Sequence, residues 1–456
     1  MKFPHTSILA LASIMAARML GLFMILPVFS TQALQFSGAT PVLVGMALGI
    51  YGLTQGCLQI PFGLLSDHWG RKPVITLGLL LFGLGSVMAA LSTSITGIII
   101  GRALQGSGAI GSTVLALLAD LTPDEHRTPA MALMGMTIGL SFMIAMIAGP
   151  LLNTTVHLSG IFWITALLAG LGMVILYIAV PSPPRLLVDA SVESVPSRLL
   201  SVLKNKNLMR LDISIFIQHA LLTALFLALP SVLTHRYDFT PHQQTLLYVI
   251  ILLLAFVVMV PFIWLAEKKR LMKNVLIGAV GTIFFVQLVL SFFHDPSKEI
   301  FSIGLVLFFS AFTLLEALLP SLVSKISPLL NKGTAMGIYS TAQFLGIFCG
   351  GAIGGLALAH WDIAGIFYLC AGLAGLWLGM VFTMPEPPYL STLLLPYDSN
   401  SDTQRILGML KKMDGVKEVA LMAQDHFLLL KIDKNQCNEK QLRNGIEQCR
   451  LNQFQA

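Results

Sequence analysis

The sequence predicts an all-α membrane protein of twelve transmembrane helices in two six-helix halves, followed by a ferredoxin-like α+β domain. Composition gives the first reason. The 456 residues are 55% hydrophobic and only 11% charged, with mean hydropathy +0.81, whereas a soluble globular chain carries about 25% charged residues. Spacing gives the second. Apolar runs fall at roughly 7–29, 41–62, 73–92, 95–119, 129–152, 159–180, 208–234, 243–265, 273–294, 300–324, 334–358 and 362–384, each near the length of about 20 residues that a span needs. The third is a sharp change to polar, charged sequence from about Pro385 onward.

The first run, Ser7 to Phe29, is long enough to span, carries Arg18 at its middle and lacks a cleavage site. It reads as a span and not as a removed signal peptide. Between the second and third runs lies Gly63-Leu-Leu-Ser-Asp-His-Trp-Gly-Arg-Lys72. Asp67, Arg71 and Lys72 cannot sit in hydrocarbon, so they mark a tight turn at a membrane surface, with Gly63 and Gly70 supplying close approach and turn geometry. The longest break inside the membrane region, 181–207, opens with Pro181, Pro183 and Pro184 and divides the runs six and six. Within it, Pro196 to Leu208 alternates leucines with Arg198, Lys204 and Lys206 and reads as a short amphipathic helix on the membrane surface.

Loop charge predicts orientation. One set of loops carries Arg71, Lys72, Arg127, Arg185, Arg198, Lys204, Lys206, Arg210, Lys268 to Arg270, Lys273, Lys325 and Lys332; the other carries only Arg236 and Lys298. The positive-inside rule puts both termini in the cytoplasm. The same rule accounts for the net charge of +6, so the basic balance is no sign of nucleic-acid binding.

An internal repeat supports two parallel halves. Shifted by 205 residues, Asp120, Thr122, Pro123, Arg127, Ala130 and Met131 fall on Lys325, Ser327, Pro328, Lys332, Ala335 and Met336. Shifted by 200, Ile60-Pro61-Phe62 falls on Val260-Pro261-Phe262 and Asp67 on Glu267. The domains are therefore expected at 1–180, 208–384 and 390–456, with a linker at 181–207. The last reads as strand (Thr392–Leu395), helix (Asp402–Met413), strands (Val416–Met422 and Phe427–Ile432) and helix (Glu439–Cys449). That βαββα order gives the ferredoxin-like expectation.

Five cysteines form no metal-ligand spacing. Cys57, Cys349 and Cys370 lie in apolar runs, where cysteine is usually a small buried hydrophobe, and Cys437 and Cys449 have no partner pattern. No metal or other cofactor is expected. No Gly-x-x-x-x-Gly-Lys string is present, so nucleotide drive is not expected either.

Inside the runs, ionisable groups are scarce: Arg18, Arg102, His219 and Glu316, on runs one, four, seven and ten, with Asp120 and Asp212 nearer the ends. A charge at mid-membrane costs at least about 2.5–3.5 kcal/mol on insertion scales, so a functional role is the default. Glu316 is the first candidate for carrying a proton, because a shielded carboxyl near a mobile arginine would change protonation with conformation. His219 is either a second such group or a hydrogen-bonded packing residue. Arg18 and Arg102 either serve coupling or brace helices through Gln55, Gln59 and Gln105.

The string 63–72 is similar to the loop G-x-L-x-D-R-x-G-R-K of the major facilitator superfamily; His68 stands where the family usually has Arg. Arg102-Ala-Leu-Gln-Gly-Ser-Gly108 resembles that family's fourth-helix motif, whose Arg is linked to proton coupling. Gly139 through Gly149-Pro150 resembles its fifth-helix antiporter motif, although Leu151-Leu152-Asn153 replaces the trailing glycines. Arg18-Met-Leu-Gly-Leu-Phe-Met with Pro27 resembles the first helix of drug/proton antiporters. This resemblance implies that Arg18, Arg102, His219 and Glu316 line one central cleft. It implies further that Gly63, Asp67, Gly70, Arg71, Lys72 and Asp120 form a conformational latch, with Arg71 pairing Asp120 and Asp67 facing the start of the eleventh helix near Thr334.

In the tail, Gly415-Val-Lys-Glu-Val and Phe427-Leu-Leu-Leu-Lys-Ile-Asp433 resemble heavy-metal-associated domains, but the loop Pro396 to Ser401 has no cysteine to hold a soft metal. The resemblance implies a proton-driven exporter of small molecules in a bacterial inner membrane, with protons, a small-molecule substrate and the lipid bilayer as partners. Self-association is open to it through the tail. Its rivals are an uptake symporter of the same fold and a membrane sensor whose tail recruits a partner.

Overall fold

The computed structural model describes residues 5–122, 124–181, 195–292, 296–328, 331–387, 390–396, 408, 410, 413–422 and 427–433. The helices are α1 (His5–Phe23), α2 (Leu26–Ala33), α3 (Pro41–Trp69), α4 (Arg71–Leu91), α5 (Ile95–Ser107), α6 (Gly111–Leu121), α7 (Asp124–Ala179), α8 (Val195–Leu203), α9 (Lys206–Ser231), α10 (Pro241–Lys268), α11 (Met272–Phe292), α12 (Lys298–Ile326) and α13 (Lys332–Phe382). A five-residue π-helical turn, Val232–Arg236, extends α9.

Side-chain caps set many of the starts. Thr40, Ser94 and Ser297 accept from the backbone amides of Leu43, Gly97 and Ile300, and Thr240 forms a reciprocal capping box with Gln243. Ten stretches among the described residues are long and apolar enough to cross a membrane. Two of them, Pro129–Ala179 and Lys332–Phe382, have 51 residues each, about 75 Å of helix at 1.5 Å per residue. That is more than twice a hydrocarbon core of about 30 Å. Each breaks near its middle at a residue in the left-handed region, His157 (φ 55) and Asp362 (φ 56). Large apolar side chains such as Leu167, Val257, Phe285 and Leu376 face outward, as a lipid-exposed surface requires.

Three expectations need correction. The 63–72 turn is a single residue: α3 runs through Asp67 to Trp69, and α4 begins at Arg71. Gly70, at φ 94, makes the reversal, a conformation that a Cβ disfavours. The amphipathic helix stops at Leu203, and Asn205 caps a new helix that already belongs to the next span. The fourth span is not continuous. Gly108, Ala109 and Ile110 leave the helix, and α6 starts afresh at Gly111. Close packing at the break explains it: a Cβ on Gly106 would meet Tyr51 O at 2.3 Å, and one on Gly108 would meet Gly78 O at 2.2 Å.

The two halves meet along a seam of α3 against the first part of α13. A Cβ on Gly45 would lie 2.3 Å from Gly351 O, one on Gly49 2.7 Å from Phe348 O, and one on Gly52 2.4 Å from Phe344 O. Continuing the same antiparallel register brings the seam to Gly337 and Gly333, where an added Cβ would meet nothing within 4 Å. The halves therefore touch at the end that holds Gly45 and part at the end that holds Asp67, the basic end.

Beyond α13, strands β1 (Leu390–Pro396), β2 (Val416–Met422) and β3 (Phe427–Asp433) form a sheet in the order β1-β3-β2, antiparallel at both edges. β1 and β2 therefore run the same way with β3 between them. Leu428, Leu430 and Ile432 are buried at every second position. Lys431 points to the other face and donates to Ser327 O at the end of α12, at 2.5 Å. The helix expected at Glu439–Cys449 lies outside the described residues, as does most of Asp402–Met413.

Candidate functional site

Glu316 sits on α12, about ten residues from the basic end, and is bonded from two other helices. Gln218 of α9 donates to Oε2 at 3.0 Å and Gln343 of α13 donates to Oε1 at 3.3 Å. Gln218 also donates to Phe312 O, and Gln343 lies 2.8 Å from His219 Nε2. With Gln343 donating, His219 is the neutral tautomer that carries its proton on Nδ1. His219 Nε2 is 3.9 Å from the Glu316 carboxylate. The histidine is buried, whereas the Glu316 side chain keeps 39% of its surface accessible. The group is therefore a reachable carboxylate held by two amides, close to a histidine. Charge scarcity pointed to Glu316 and His219 in the sequence. Gln218 and Gln343 carry no charge and gave no such signal.

The two arginines form a separate cluster on the first half. Arg18 Nη2 donates to Tyr51 OH at 3.1 Å and to Gln55 Oε1. Gln55 in turn donates to Gln59. Arg102 donates to Ala47 O, Leu48 O and Gln105 Oε1 and stacks over the Tyr51 ring at 5.0 Å. Gln105 passes the chain on to Ser86. Both arginines are 1% exposed. No hydrogen bond or ion pair among the described residues joins either to Glu316. Tyr51, which connects the two arginines, is a further member that charge alone could not flag.

At the basic end, Arg71 bridges two acids. Its Nε donates to Asp120 Oδ2 at 2.9 Å, and its Nη1 donates to Asp67 Oδ1 at 2.5 Å and to Ser66 Oγ at 2.6 Å. Those acceptors lie on the last turns of α3 and α6, so Arg71 ties two helix ends to the α4 start. Lys72 lies over the Tyr177 ring. A Cβ on Gly63 would lie 3.4 Å from Ser112 Oγ. No hydrogen bond among the described residues links Asp67 to α13. In the second half Glu267 takes a bond from Lys325 at 2.5 Å, with Ser321 at 3.4 Å.

Of the antiporter-like positions, Gly149 is packed tightly: a Cβ would lie 2.4 Å from Met24 O and 2.7 Å from the Pro27 ring. It seats α7, with the adjacent Pro150, against the break between α1 and α2. Gly139 has open space around it. No group of three His, Cys, Asp or Glu side chains suited to a metal occurs among the described residues.

Comparison with known proteins gives a consistent family. The profile of the Major Facilitator Superfamily matches residues 11–328 and 211–404. The inner membrane transport protein YajR of Escherichia coli (strain K12) is 44% identical over 439 residues, 96% of each chain. The tetracycline resistance protein, class H, of Pasteurella multocida is 30% identical over 162 residues, 35% of this chain and 40% of its own. The crystal structure of a D-xylose-proton symporter shares the fold with TM-score 0.66, covering 83% of this chain and 98% of its own at 16% identity.

Proposed function

From the premise that this chain belongs to the major facilitator superfamily, a family of transporters and not of enzymes, we propose that it is a proton-coupled antiporter exporting a small molecule. The observation that carries this reading is the Glu316 carboxylate, accessible at mid-membrane and held by donors from α9 and α13. A carboxylate accepts both amide bonds strongly; a protonated carboxyl accepts them weakly. Taking up a proton thus loosens α12 from α9 and α13, and losing it tightens them again. That is a direct link from protonation to the packing of the second half.

The finer architecture follows. Each 51-residue stretch is read as two crossings joined at His157 or Asp362, which gives twelve spans in halves 1–180 and 208–384. Both termini lie in the cytoplasm of a bacterial inner membrane. The seam at Gly45 to Gly56 then closes the outer end, and the parted basic end opens inward, with Asp67 released from the eleventh helix. The sheet order β1-β3-β2, with β1 and β2 parallel around β3, fits a ferredoxin-like domain over 390–456. A second reading, proton-linked uptake, is favoured by Leu151-Leu152-Asn153 in place of the antiporter glycines.

Reconstituted vesicles test both. Glu316→Gln keeps the shape and one acceptor oxygen for the two amide donors but cannot titrate; it should fold and lose pH-gradient-driven flux. Undiminished gradient-driven flux in this variant would refute the reading. The direction of substrate flux relative to the proton gradient separates export from uptake.

A further inference from the structure

The offsets between the halves locate one pair of places that differ in kind. Thr40-Pro41 and Thr240-Pro241 begin α3 and α10 identically, 200 residues apart. Asp120 and Lys325 lie near the ends of α6 and α12, 205 apart. By these offsets Arg18 corresponds to Gln218, and Gly111 corresponds to Glu316. In the second half, Gln218 donates to the Glu316 carboxylate. In the first half, Arg18 faces a residue with no side chain. A Cβ on Gly111 would lie 3.6 Å from Arg18 Nη1 and 3.8 Å from Gln59 Oε1.

Arg18 and Arg102 are equally buried but not equally satisfied. Arg102 uses donors on Nε, Nη1 and Nη2. Arg18 uses Nη2 alone, and its buried Nε and Nη1 have no acceptor. Leaving buried donors of a charged group unmet is expensive, and Arg18 is in no ion pair among the described residues. Beside it, the break at 108–110 starts an 11-residue helix inside the membrane. Ile110 gives that helix no side-chain cap, and the amides of Ser112 and Thr113 have no acceptor among the described residues. A helix start carries about half a positive charge and points amides at an anion. Gly111 and Ser112, which begin that helix, are partly exposed, while Arg18 itself is buried.

We propose that Arg18 and the start of α6 bind the carboxylate of an organic acid, which occupies in the first half the place that the Glu316 carboxylate occupies in the second. A single negative charge suits one guanidinium with two unmet donors and a helix start. The inference rests on the transporter reading only in taking the bound acid for cargo.

Purified full-length protein tests this by thermal shift with benzoate, against benzamide as its neutral counterpart and inorganic phosphate as a small oxyanion without an apolar body. Benzoate should raise the melting temperature saturably; benzamide should not, and phosphate should do so only weakly. Arg18→Gln should weaken the apparent benzoate affinity at least about tenfold. Gly111→Ala is the second variant. Its methyl makes only ordinary contacts and favours helix, so the unliganded protein should melt as before while benzoate binds at least about tenfold more weakly. Glu316→Gln should keep the benzoate shift, so failure of proton coupling and failure of the acid site are separable. Equal shifts with benzoate and benzamide, no benzoate shift, a phosphate shift as large as that of benzoate, or wild-type benzoate affinity in Gly111→Ala would each overturn the proposal.

Discussion

The first half keeps its buried charge positive, in Arg18 and Arg102, while the second half places an acid, Glu316, beside a neutral histidine. The backbone repeats even where the chemistry does not. His157 and Asp362, 205 residues apart, have φ 55 and φ 56. Gly70 and Arg270, 200 apart, both lie in the left-handed region at the end of a span. At the basic ends Asp67 and Asp120 need Arg71 between them, whereas their counterparts Glu267 and Lys325 have opposite signs and pair directly. The counterpart of Arg71 is Leu271, since nothing there needs bridging. The difference teaches that duplicated geometry leaves each half free to carry a different charge.

Breaking the bridge in one half and the pair in the other should give unequal results. Arg71→Met leaves two carboxylates facing each other, partly buried, and should destabilise the protein by about 1–3 kcal/mol. Glu267→Gln breaks one partly exposed pair without leaving like charges together and should cost no more than about 1 kcal/mol. Denaturation of the two variants under one set of conditions checks the order; an equal or reversed cost would remove the asymmetry.

Asp67→Asn sharpens the comparison from the conformational side. It weakens attraction to the start of α13 by about 0.3–1 kcal/mol, so the parted basic end should become more populated. Distances between spin labels on the basic ends of α3 and α13 report this, and an unchanged distribution would argue against a latch.

The smallest effect concerns the tail, whose Lys431 donates to Ser327 O at the end of α12. Burial holds the Lys431 ammonium below its ordinary value of 10.5. The undocked lysine therefore keeps its proton to higher pH than the docked one. Docking should strengthen as pH rises between the two values and stay flat below them. Amide exchange in β3, corrected for intrinsic rate, should slow by a small factor on going from about pH 7 to pH 10, where the ordinary lysine begins to titrate. Lys431→Met should abolish that pH dependence.

Much of this was legible in sequence because hydrocarbon punishes charge. Run lengths, the loop acids and bases, and Glu316 all follow from that penalty. The breaks at His157 and Asp362 fall in or beside the gaps that polarity marked. The break in the fourth span was not legible: Gly108-Ala-Ile110 is small and apolar, so no polarity change announces it, and only packing against Tyr51 and Gly78 forces it. The partners of Glu316 were hidden for a related reason. Glutamine is cheap enough in a bundle to pass as background, and whether Gln218 and Gln343 meet depends on how three distant helices pack.

The glycine seam between α3 and α13 has a kinetic consequence. Backbone meets backbone there, with carbonyl oxygens close to glycine α-carbons, so contact rests on weak Cα–H···O attractions and dispersion. Side chains join in only beside this backbone contact, where the Tyr51 and Phe344 rings meet at 6.4 Å. Such a joint should separate with a small barrier. A single added methyl at Gly45 or Gly52 would lie 2.3 or 2.4 Å from a facing carbonyl oxygen, so it should hold the surfaces apart and disfavour the closed seam.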